Sequence, residues 1–275
     1  MTDLRIVIAG AGGRMGRTLI RAIAETEGLK LVGALEYAGS AHLGEDAGLM
    51  AGTAPNGITV ESDVAPALNG ADVVIDFSTP AATVRLAGRL AEAGIAHVIG
   101  TTGFSNEDNA AIADAALRTV IVKSGNMSLG VNLLAALTRR VAATLGDDFD
   151  IEIVEMHHNR KVDAPSGTAL LLGDAAAAGR NRKLDECSDR GRDGLTGPRV
   201  KGNIGFASLR GGSVVGEHMV IFAGASERIE LVHKAEDRMI FANGALTAAR
   251  WTKCGETRRE PGLYSMADVL GLADF

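Results

Sequence analysis

Short apolar runs alternate with amphipathic stretches through the first 123 residues, and this alternation restricts the possible fold more than any other feature of the chain. The apolar runs are Leu4–Ala9, Leu29–Leu35, 72–77, Ala96–Ile99 and 120–122. Runs of Val, Ile and Leu without polar alternation are typical of parallel strands that are buried on both faces. The intervening stretches with helical spacing are 14–25, 83–93 and 108–117. We therefore expect an α/β fold with helices on both faces of a doubly wound parallel sheet.

A glycine-rich turn links the first apolar run to the first helical stretch. Its residues are Gly10, Ala11, Gly12, Gly13, Arg14, Met15 and Gly16. Glycine permits a tight turn and a close backbone approach to a pyrophosphate, which the N-terminus of the following helix binds. The strict GxGxxG pattern is not met from Gly10, because Met15 stands at its third glycine position. Glu36 ends the second run, where an acid can bind the adenosine ribose. Together these features predict a Rossmann-type dinucleotide site.

The residues after Glu36 bear on the choice of cofactor. The stretch 37–41, which begins with Tyr37, contains neither Arg nor Lys. A carboxylate without a neighbouring cation repels the 2′-phosphate of NADPH. The sequence therefore favours NADH, although Arg14 is able to reach a phosphate and NADPH remains possible.

Two further polar turns follow predicted strands, at the sheet edge where open α/β sheets bind ligands. They comprise Gly100, Thr101 and Thr102, and then Ser124, Gly125, Asn126 and Met127. Their hydroxyl and amide groups suit a nicotinamide, so we assign them to the cofactor site, with ordinary turn chemistry as the alternative. The stretch 78–80, Ser-Thr-Pro, indicates a plain helix start and is left outside the site.

The pattern changes in the second half of the chain. A Leu/Ala-rich helix at about 130–145 precedes a stretch at 149–156 in which apolar and acidic residues alternate. Runs at 204–209, 214–223 and 228–233 follow one another too closely for intervening helices, which favours antiparallel or mixed strands. We therefore expect a smaller α+β domain with a mixed sheet at 129–238, while the helix at 238–253 returns to the first domain, which comprises 1–128 and 239–275.

The stretch 155–169, Glu-Met-His-His-Asn-Arg-Lys-Val-Asp-Ala-Pro-Ser-Gly-Thr-Ala, concentrates candidate chemistry. Histidine titrates near neutrality and can donate a proton, while Arg160 or Lys161 can balance an anionic substrate. Ser166 is placed as an N-cap for the following helix. The first backbone N–H groups of that helix, those of Gly167 and Thr168, can therefore attract a carboxylate or phosphate.

Composition argues against several other classes of function. The net charge is −6, aromatic residues are 4% of the chain, and no basic stripe is present, so we expect no nucleic-acid partner. No apolar run approaches the roughly 20 residues that span a bilayer, and the N-terminus lacks a signal pattern, so we expect no membrane partner and a cytoplasmic location. Cys187 and Cys254 lack CxxC spacing, and no HExxH motif surrounds the histidines, so we expect no metal site.

With these motifs in hand, the chain resembles the 4-hydroxy-tetrahydrodipicolinate reductase family, formerly called dihydrodipicolinate reductase. The resemblance covers nearly the whole chain and is strongest at 10–16, 100–103, 124–132, 155–169, 205–207, 216–218 and 241–244. It implies NAD(P)H-dependent reduction of a cyclic dicarboxylate, giving tetrahydrodipicolinate, on the diaminopimelate route to lysine. It also implies a cytoplasmic homotetramer whose second domain binds the substrate and forms the tetramer contacts.

The resemblance also assigns roles to residues of the stretch 155–169. His157 matches the catalytic acid/base and Lys161 the second proton donor, while His158, Gly167 and Thr168 match the substrate-binding residues. One departure concerns the cofactor. Some relatives place Arg directly after the ribose-binding acid, whereas this chain has Tyr37, so their dual use of NADPH should not be assumed for this chain.

Alternatives remain open on the sequence alone. His157 and His158 can be strand-end residues satisfied by the backbone, Lys161 can be a surface charge, and Arg160 can replace it as the substrate cation. Arg238 is a further candidate substrate contact. An NAD-linked reductase of another oxo or amino acid would share the nucleotide half of the chain. A non-catalytic dinucleotide sensor would keep Glu36 and the glycine turn but would need no acid/base pair.

Overall fold

The computed structural model of the chain describes residues 2–254 and 257–272. These residues form two compact units. Among the described residues, the first unit contains 2–128 together with Met239–Val269, and the second contains Leu129–Arg238 together with 270–272. The division into a first domain of 1–128 and 239–275 and a second domain of 129–238 stays a prediction.

Strands and helices alternate in the N-terminal part of the first unit. In chain order they are β1 Leu4–Ala9, α1 Arg14–Ala24, β2 Leu29–Leu35, α2 Ala47–Ala51, β3 Val60–Glu61, α3 Val64–Ala67, β4 Val73–Asp76, α4 Pro80–Ala93, β5 Ala96–Ile99, α5 Asn106–Ala116 and β6 Val120–Lys123.

The second unit is built from three helices, five strands and one short 3₁₀ turn in its described part. These are α6 Leu129–Leu145, the 3₁₀ turn Gly146–Asp148, β7 Asp150–His157, α7 Gly167–Gly179, α8 Leu184–Cys187, β8 Ser188–Asp189, β9 Ile204–Arg210, β10 Gly216–Ala223 and β11 Arg228–Ala235.

The chain then returns to the first unit. The returning elements are α9 Met239–Trp251, β12 Lys253–Cys254, β13 Thr257–Arg258, β14 Gly262–Tyr264 and α10 Met266–Val269.

The first unit is organised around a seven-stranded sheet in which every neighbouring pair is parallel. The strand order is β14-β6-β5-β4-β1-β2-β3. The order reverses at β1, which lies between β2 and β4, and this switch point is where doubly wound sheets bind ligands. The side chains of β4 and β5 are all buried. The predicted Rossmann-type parallel sheet is thus confirmed.

The turn after β1 shows why glycine is required there. Gly10 has φ +76°, a conformation that side chains rarely adopt, and a Cβ at this position would lie 2.9 Å from the carbonyl oxygen of Phe77. A Cβ on Gly16 would overlap the carbonyl oxygen of Gly10, so α1 packs against the turn at backbone distance. The sequence therefore holds the start of α1 tightly against the end of β1.

The second unit has a five-stranded mixed sheet in the order β11-β10-β7-β9-β8. The pairs β11/β10 and β10/β7 are antiparallel, whereas β7/β9 and β9/β8 are parallel. Exposure alternates strictly along β7, and the buried side chains of Ile151 and Ile153 pack with Leu172 of α7 in the core of this unit. Glu155 and His157 continue the same buried face of β7. The predicted mixed sheet is confirmed.

Several elements differ from the sequence-based expectation. Helix α4 begins at Pro80, within the helix start predicted at 78–80 and three residues before the helical spacing of 83–93, because Thr79 is its N-cap and Pro80 suits the first helical position. The stretch 38–57 contains α2, a helix that no pattern described above predicts, and the Asp46 carboxylate at its N-cap accepts backbone hydrogen bonds that organise this loop. β3 and β14 were not predicted. In the described part of the chain, no helix is long and apolar enough to cross a bilayer.

Candidate active site

A cavity of about 530 Å³ lies at the switch point of the first unit. Its walls come from the carboxyl ends of β1, β2 and β4 and from one side of α4. The lining residues are Ala9, Gly10, Gly13, Leu35, Glu36, Tyr37, Ala38, Ser62, Val64, Phe77, Ser78, Thr79, Ala82, Arg85, Leu86 and Arg89. The cavity lies where doubly wound sheets bind dinucleotides, and the glycine backbone at one wall leaves room for a pyrophosphate. Both features fit the binding of the adenosine and pyrophosphate groups of a dinucleotide.

Glu36 lies on the cavity wall and also contacts the glycine turn. Its Oε1 accepts a hydrogen bond from the N–H of Gly12 at 2.8 Å, and its Oε2 accepts one from the N–H of Tyr37 at 3.2 Å. A carboxylate offers about four acceptor positions, so both oxygens retain capacity for a ribose hydroxyl. The geometry is compatible with the expected ribose-binding role. The Tyr37 side chain is 71% exposed at the cavity rim.

Two arginines of α4, which no sequence motif marks, also line this cavity. Arg85 and Arg89 lie four residues apart, on one face of the helix, and both are exposed. Neither takes part in an ion pair among the residues that the structure describes. Ser78 and Thr79, which sequence reasoning left outside the site, are cavity residues as well.

The Gly100–Thr102 turn is held by a buried polar cluster below it. Thr101 Oγ1 accepts hydrogen bonds from the backbone N–H of Ser78 and from the Thr83 hydroxyl, both at 3.1 Å. Asp76 bonds the Ser78 hydroxyl at 2.6 Å and lies 3.2 Å from Nε2 of His97. Burial opposes ionisation of Asp76, but the bonds from His97 and Ser78 outweigh it and lower the pKa of this carboxyl. The Thr101 hydroxyl therefore ties the turn to this buried cluster, whereas Thr102 is exposed.

The turn after β6 is closed by its own side chains. The Ser124 hydroxyl donates to the carbonyl oxygen of Asn126 at 2.7 Å, and Asn126 Oδ1 accepts from the N–H of Ser128 at 2.8 Å. The Met127 side chain is 1% exposed and belongs to the core, so this residue offers a ligand only its backbone. Gly125 is exposed, and a Cβ added to it would meet no heavy atom within 4 Å apart from its chain neighbours.

The remaining residues of the predicted cofactor site lie at the start of α1. Ala11 is fully buried beneath the turn, Gly13 is the N-cap, and Arg14 and Met15 are the first helical residues. Arg14 is exposed. Of the predicted cofactor residues, Gly10, Gly13 and Glu36 line the cavity, while Ala11, Gly12, Arg14, Met15 and the two later turns do not.

In the second unit, β7 ends in a buried ion-pair cluster around Glu155 and His157. Nδ1 of His157 lies 2.6 Å from Oε2 of Glu155, and the two side chains are 11% and 1% exposed. Arg210, which pairs with His157 in the β7/β9 register, donates to both oxygens of Glu155 at 2.8 Å. Burial would raise the pKa of Glu155, but hydrogen bonds from Arg210 and His157 outweigh it and lower the pKa to about 2.

A second buried histidine faces this cluster from β10. His218 is directly opposite Glu155 in the β7/β10 register, and its ring meets that of His157 edge-on with centroids 5.1 Å apart. Burial, followed by the nearby charge of His157, lowers the pKa of His218 to about 4, so this ring is neutral at neutral pH. Nε2 of His218 lies 2.9 Å from the Ser166 hydroxyl.

Lys161 lies in the loop between β7 and α7. Its ammonium donates to both oxygens of Asp163, at 2.8 and 2.9 Å, and its side chain is 19% exposed. Arg160 is exposed and takes part in no ion pair found among the described residues. The structure therefore distinguishes the two cations, because Lys161 is held in one place and Arg160 is not.

His158 begins the loop after β7. Its backbone N–H donates to the carbonyl oxygen of Val214 at 2.8 Å, and its Nδ1 is buried without a partner among the described atoms. Burial, followed by the positive charges of Arg160 and Arg238, lowers the pKa of His158. The lowered pKa favours a neutral imidazole, which offers a hydrogen bond rather than a charge at this position.

The helix start at Ser166 forms as expected. Ser166 is the N-cap of α7, and its hydroxyl accepts from the N–H of Ala169 at 3.1 Å. Gly167 and Thr168 are the first residues of this helix, and Gly167 is exposed with no heavy atom within 4 Å of a Cβ position. The N-terminus of the 13-residue helix is therefore accessible at Gly167, where its dipole favours an anion.

Sequence reasoning brought together His157, His158 and Lys161 but missed Glu155, Arg210 and His218. One signal was present, because residues i and i+2 of a strand share a face, so Glu155 had to lie beside His157. The other two residues come from later strands, and only their register brings them to the cluster. Among the described residues, no group of His, Cys, Asp and Glu side chains is arranged to hold a metal ion.

Comparison with known proteins places the chain among a well-populated set of relatives. Residues 4–127 match the family described as dihydrodipicolinate reductase, N-terminus, and residues 130–270 match dihydrodipicolinate reductase, C-terminus. A 4-hydroxy-tetrahydrodipicolinate reductase of Rhodopseudomonas palustris is 62% identical over 275 residues, covering 100% of both chains. One from Bradyrhizobium diazoefficiens is 60% identical over 274 residues, again covering 100% of both.

Solved structures agree on the fold. A dipicolinate-bound dihydrodipicolinate reductase from Paenisporosarcina superposes with a TM-score of 0.73 at 22% identity, covering 97% of this chain and 99% of the other. A myo-inositol dehydrogenase from Corynebacterium glutamicum gives a TM-score of 0.57 at 18% identity, covering 99% and 95%. At these identities the structural likeness concerns the fold alone.

Proposed function

Because the chain belongs to the dihydrodipicolinate reductase family, we propose that His157 and Lys161 supply the protons in its NAD(P)H-dependent reduction of 4-hydroxy-tetrahydrodipicolinate. The chain is an oxidoreductase of the diaminopimelate route to lysine, and its product is tetrahydrodipicolinate. Neither alternative raised by the sequence, a reductase of another oxo or amino acid or a non-catalytic dinucleotide sensor, is favoured by these relatives.

The chemistry defines what the protein side chains must do. A bound NAD(P)H supplies a hydride. Loss of the 4-hydroxyl group conjugates the ring imine of the substrate, and hydride arriving at carbon 4 leaves an enamine that must be protonated. A positioned imidazolium or ammonium lowers the barrier to that protonation. The residues of the second unit therefore have to bind a dicarboxylate and deliver protons.

His157 is suited to the proton-donating role by its hydrogen-bonding pattern. Its Nδ1 is engaged by Glu155, which leaves Nε2 as the nitrogen that exchanges a proton with substrate. Gly216 lies next to this nitrogen, since a Cβ on Gly216 would be 3.1 Å from Nε2. The absence of a side chain at Gly216 keeps space beside Nε2. The Glu155–His157 hydrogen bond is the single observation on which this assignment depends most.

The substrate carboxylates are proposed to bind at two places in the second unit. One lies on the Gly167/Thr168 end of α7, where the helix dipole favours an anion. The other is balanced by Lys161, with His158 as a neutral hydrogen-bonding partner, and Arg238 is a further candidate contact because its charge acts on His158. We propose that the first unit is the dinucleotide-binding domain and the second the substrate-binding and tetramerisation domain.

Single-residue variants test the catalytic assignment. We expect His157→Gln and Lys161→Ala to lower kcat by about 100-fold or more, in the range that general acid catalysis contributes. Arg160→Ala is the matched control, since it removes a neighbouring cation of the same loop, and it should change kcat less than about threefold. Equal losses in Lys161→Ala and Arg160→Ala, or full activity in His157→Gln, would contradict the proposal.

Within the family's use of NAD(P)H, we propose a preference for NADH. Glu36 on the cavity wall favours a ribose hydroxyl over a phosphate, and Tyr37 provides no balancing charge. Arg85 and Arg89 in the same cavity, together with Arg14, leave NADPH as a usable cofactor. Dissociation constants of the two reduced cofactors, measured at one ionic strength, test this preference, and tighter binding of NADPH would contradict it.

We further propose a cytoplasmic homotetramer with contacts through the second unit. Exposed apolar side chains of this unit are available for contacts between chains, namely Leu195, Val200, Leu209, Ile229 and Val232. Light scattering on the purified chain should give four times the chain mass. A monomer at micromolar concentration would contradict the tetramer, and recovery of the native protein in a membrane fraction would contradict the location.

A further inference from the structure

We propose that Glu155 is a positioning residue, which fixes the proton of neutral His157 on Nδ1 and ties this histidine to the start of α7. Two parts of the proposed substrate site, the proton donor and the helix terminus, would thereby keep one relative geometry. This inference rests on the proposed role of His157. It assigns to Glu155 no contact with substrate.

The first step is the arrangement of the two side chains. Glu155 and His157 occupy the same face of β7, two residues apart, and the carboxylate Oε2 lies 2.6 Å from Nδ1. A carboxylate that is ionised can only accept, so Nδ1 must carry the hydrogen. The tautomer of His157 follows from this contact, as does the direction in which its ring faces.

The second step is the link to α7. The other carboxylate oxygen of Glu155 accepts a hydrogen bond from the backbone N–H of Ser166 at 3.2 Å. Ser166 is the N-cap of α7, and its hydroxyl accepts from Ala169. One carboxylate therefore contacts both the imidazole and the residue that precedes Gly167, although Glu155 and Ser166 are 11 residues apart in the chain.

The third step concerns the charge of Glu155. Each of its oxygens accepts one bond from Arg210 in addition to the bond from His157 or Ser166, so the carboxylate has four donors around it. These donors outweigh burial and lower the pKa of Glu155 to about 2. The carboxylate stays ionised during turnover, and it orients His157 rather than taking its proton.

The fourth step concerns His218, the neutral histidine on the neighbouring strand β10. The Ser166 hydroxyl, which accepts from the N–H of Ala169, also lies within hydrogen-bond distance of Nε2 of His218, at 2.9 Å. Burial lowers the pKa of His218 to about 4, so this ring adds no positive charge beside His157 at neutral pH. The cluster thus presents one orienting anion to His157, balanced by Arg210 on its far side.

Two variants of the full-length protein separate positioning from plain stability. Glu155→Gln keeps the size of the side chain and removes its charge. Glu152→Gln is the matched control, because Glu152 lies on the opposite face of β7 and is paired with Arg192 and Arg199. Both changes break buried or half-buried ion pairs, but only the first touches His157.

The measurements are kcat, substrate KM, the NADH dissociation constant and the ¹⁵N NMR signals of the histidine rings, with His157→Gln used to identify the signals of His157. We expect the wild type to show the Nδ1–H form of His157. Glu155→Gln should lower kcat by about 10- to 100-fold, and His157 in this variant should adopt the Nε2–H form. NADH binding should stay unchanged. Glu155→Asp should restore part of the loss in kcat, and Glu152→Gln should change kcat less than about threefold.

Several results would overturn the inference. One is a wild-type His157 in the Nε2–H form, which is measurable even if Glu155→Gln does not fold. Another is a loss of kcat in Glu155→Gln no larger than that in Glu152→Gln. If His157→Gln keeps full activity, the proposed catalytic role itself fails. If His157→Gln is inactive while Glu155→Gln behaves like the control, only the positioning role fails.

Discussion

The ammonium group of Lys161 donates to both carboxylate oxygens of Asp163, at 2.8 and 2.9 Å, and the hydrogen bond from Lys161 lowers the pKa of Asp163. Asp163 is 56% exposed on its side chain, so the pair contributes at most about 1 kcal/mol to stability. If Lys161 binds a substrate carboxylate as proposed, the pair has its larger effect on binding, because Asp163 competes with that carboxylate for the same ammonium.

We therefore expect Asp163→Asn to lower the substrate KM by about two- to threefold at low ionic strength, with a smaller effect at high salt. Steady-state kinetics at two salt concentrations provide the measurement. Asp185→Asn is the control, since Asp185 is an exposed aspartate of the same unit that pairs with Arg190 at 3.6 Å. A KM that rises, or that changes equally in the control, would contradict a substrate contact by Lys161.

Gly216 tests which nitrogen of His157 reacts. A Cβ at Gly216 would lie 3.1 Å from Nε2, so Gly216→Ala should crowd this nitrogen and lower kcat by roughly tenfold while NADH binding stays unchanged. Gly211→Ala is the matched control, because its Cβ would meet only the flexible end of Met156, at 3.0 Å. Equal kcat values for the two variants would argue against Nε2 as the reactive atom.

His218 should make stability depend on pH. Its pKa is about 4 in the folded protein against an ordinary 6.5, with burial as the main cause and with His157, Glu155, His233 and Lys161 as its charged or titratable neighbours. Between these pH values the unfolded chain binds a proton that the folded chain does not, so stability present above pH 6.5 is lost as the pH falls toward 4.

His218 contributes at most about 1.4 kcal/mol per pH unit to the dependence of the free energy of unfolding on pH. His218→Gln keeps an acceptor for the Ser166 hydroxyl but does not titrate, and it should flatten the fall in the free energy of unfolding across this window. Urea unfolding of both proteins at several pH values gives the two slopes. An unchanged slope would show that His218 is already protonated or that the folded state opens around it.

Because Arg85 and Arg89 line the cavity, we expect them to strengthen NADPH binding more than NADH binding. Replacing both with Ala should weaken NADPH binding by about tenfold, because the 2′-phosphate loses two charge-assisted partners. The dissociation constant of NADH should change by less than about twofold. Arg118→Ala is the control, because Arg118 is an exposed arginine of the same unit outside the cavity. Equal weakening of the two cofactors would show that these arginines do not read the 2′-phosphate.

Much of the first unit could be predicted because burial on both faces leaves continuous apolar runs in the sequence. Leu4–Ala9, Leu29–Leu35 and Ala96–Ile99 were located to the residue. β14 was missed because three residues, Gly262–Tyr264, leave no periodic signal, and only pairing with β6 makes them a strand. Pairing of this kind is a tertiary effect that local propensity does not contain.

The site shows the same division between local and long-range information. The proton-donor candidates and the N-cap Ser166 could be found because they lie within one short stretch. Arg210 and His218 could not, since β9 and β10 bring them to Glu155 from more than 50 positions along the chain. Arg85 and Arg89 have the sequence pattern of any exposed helix face, and only the cavity beside α4 distinguishes them.

A coupled assay tests the central claim most directly. The purified chain is supplied with pyruvate, aspartate semialdehyde, the upstream synthase and NADH, and the absorbance of NADH is followed over time. We predict oxidation of NADH that requires every component and that nearly disappears when His157→Gln replaces the native chain. No oxidation by the native chain, or equal oxidation by the variant, would contradict the account.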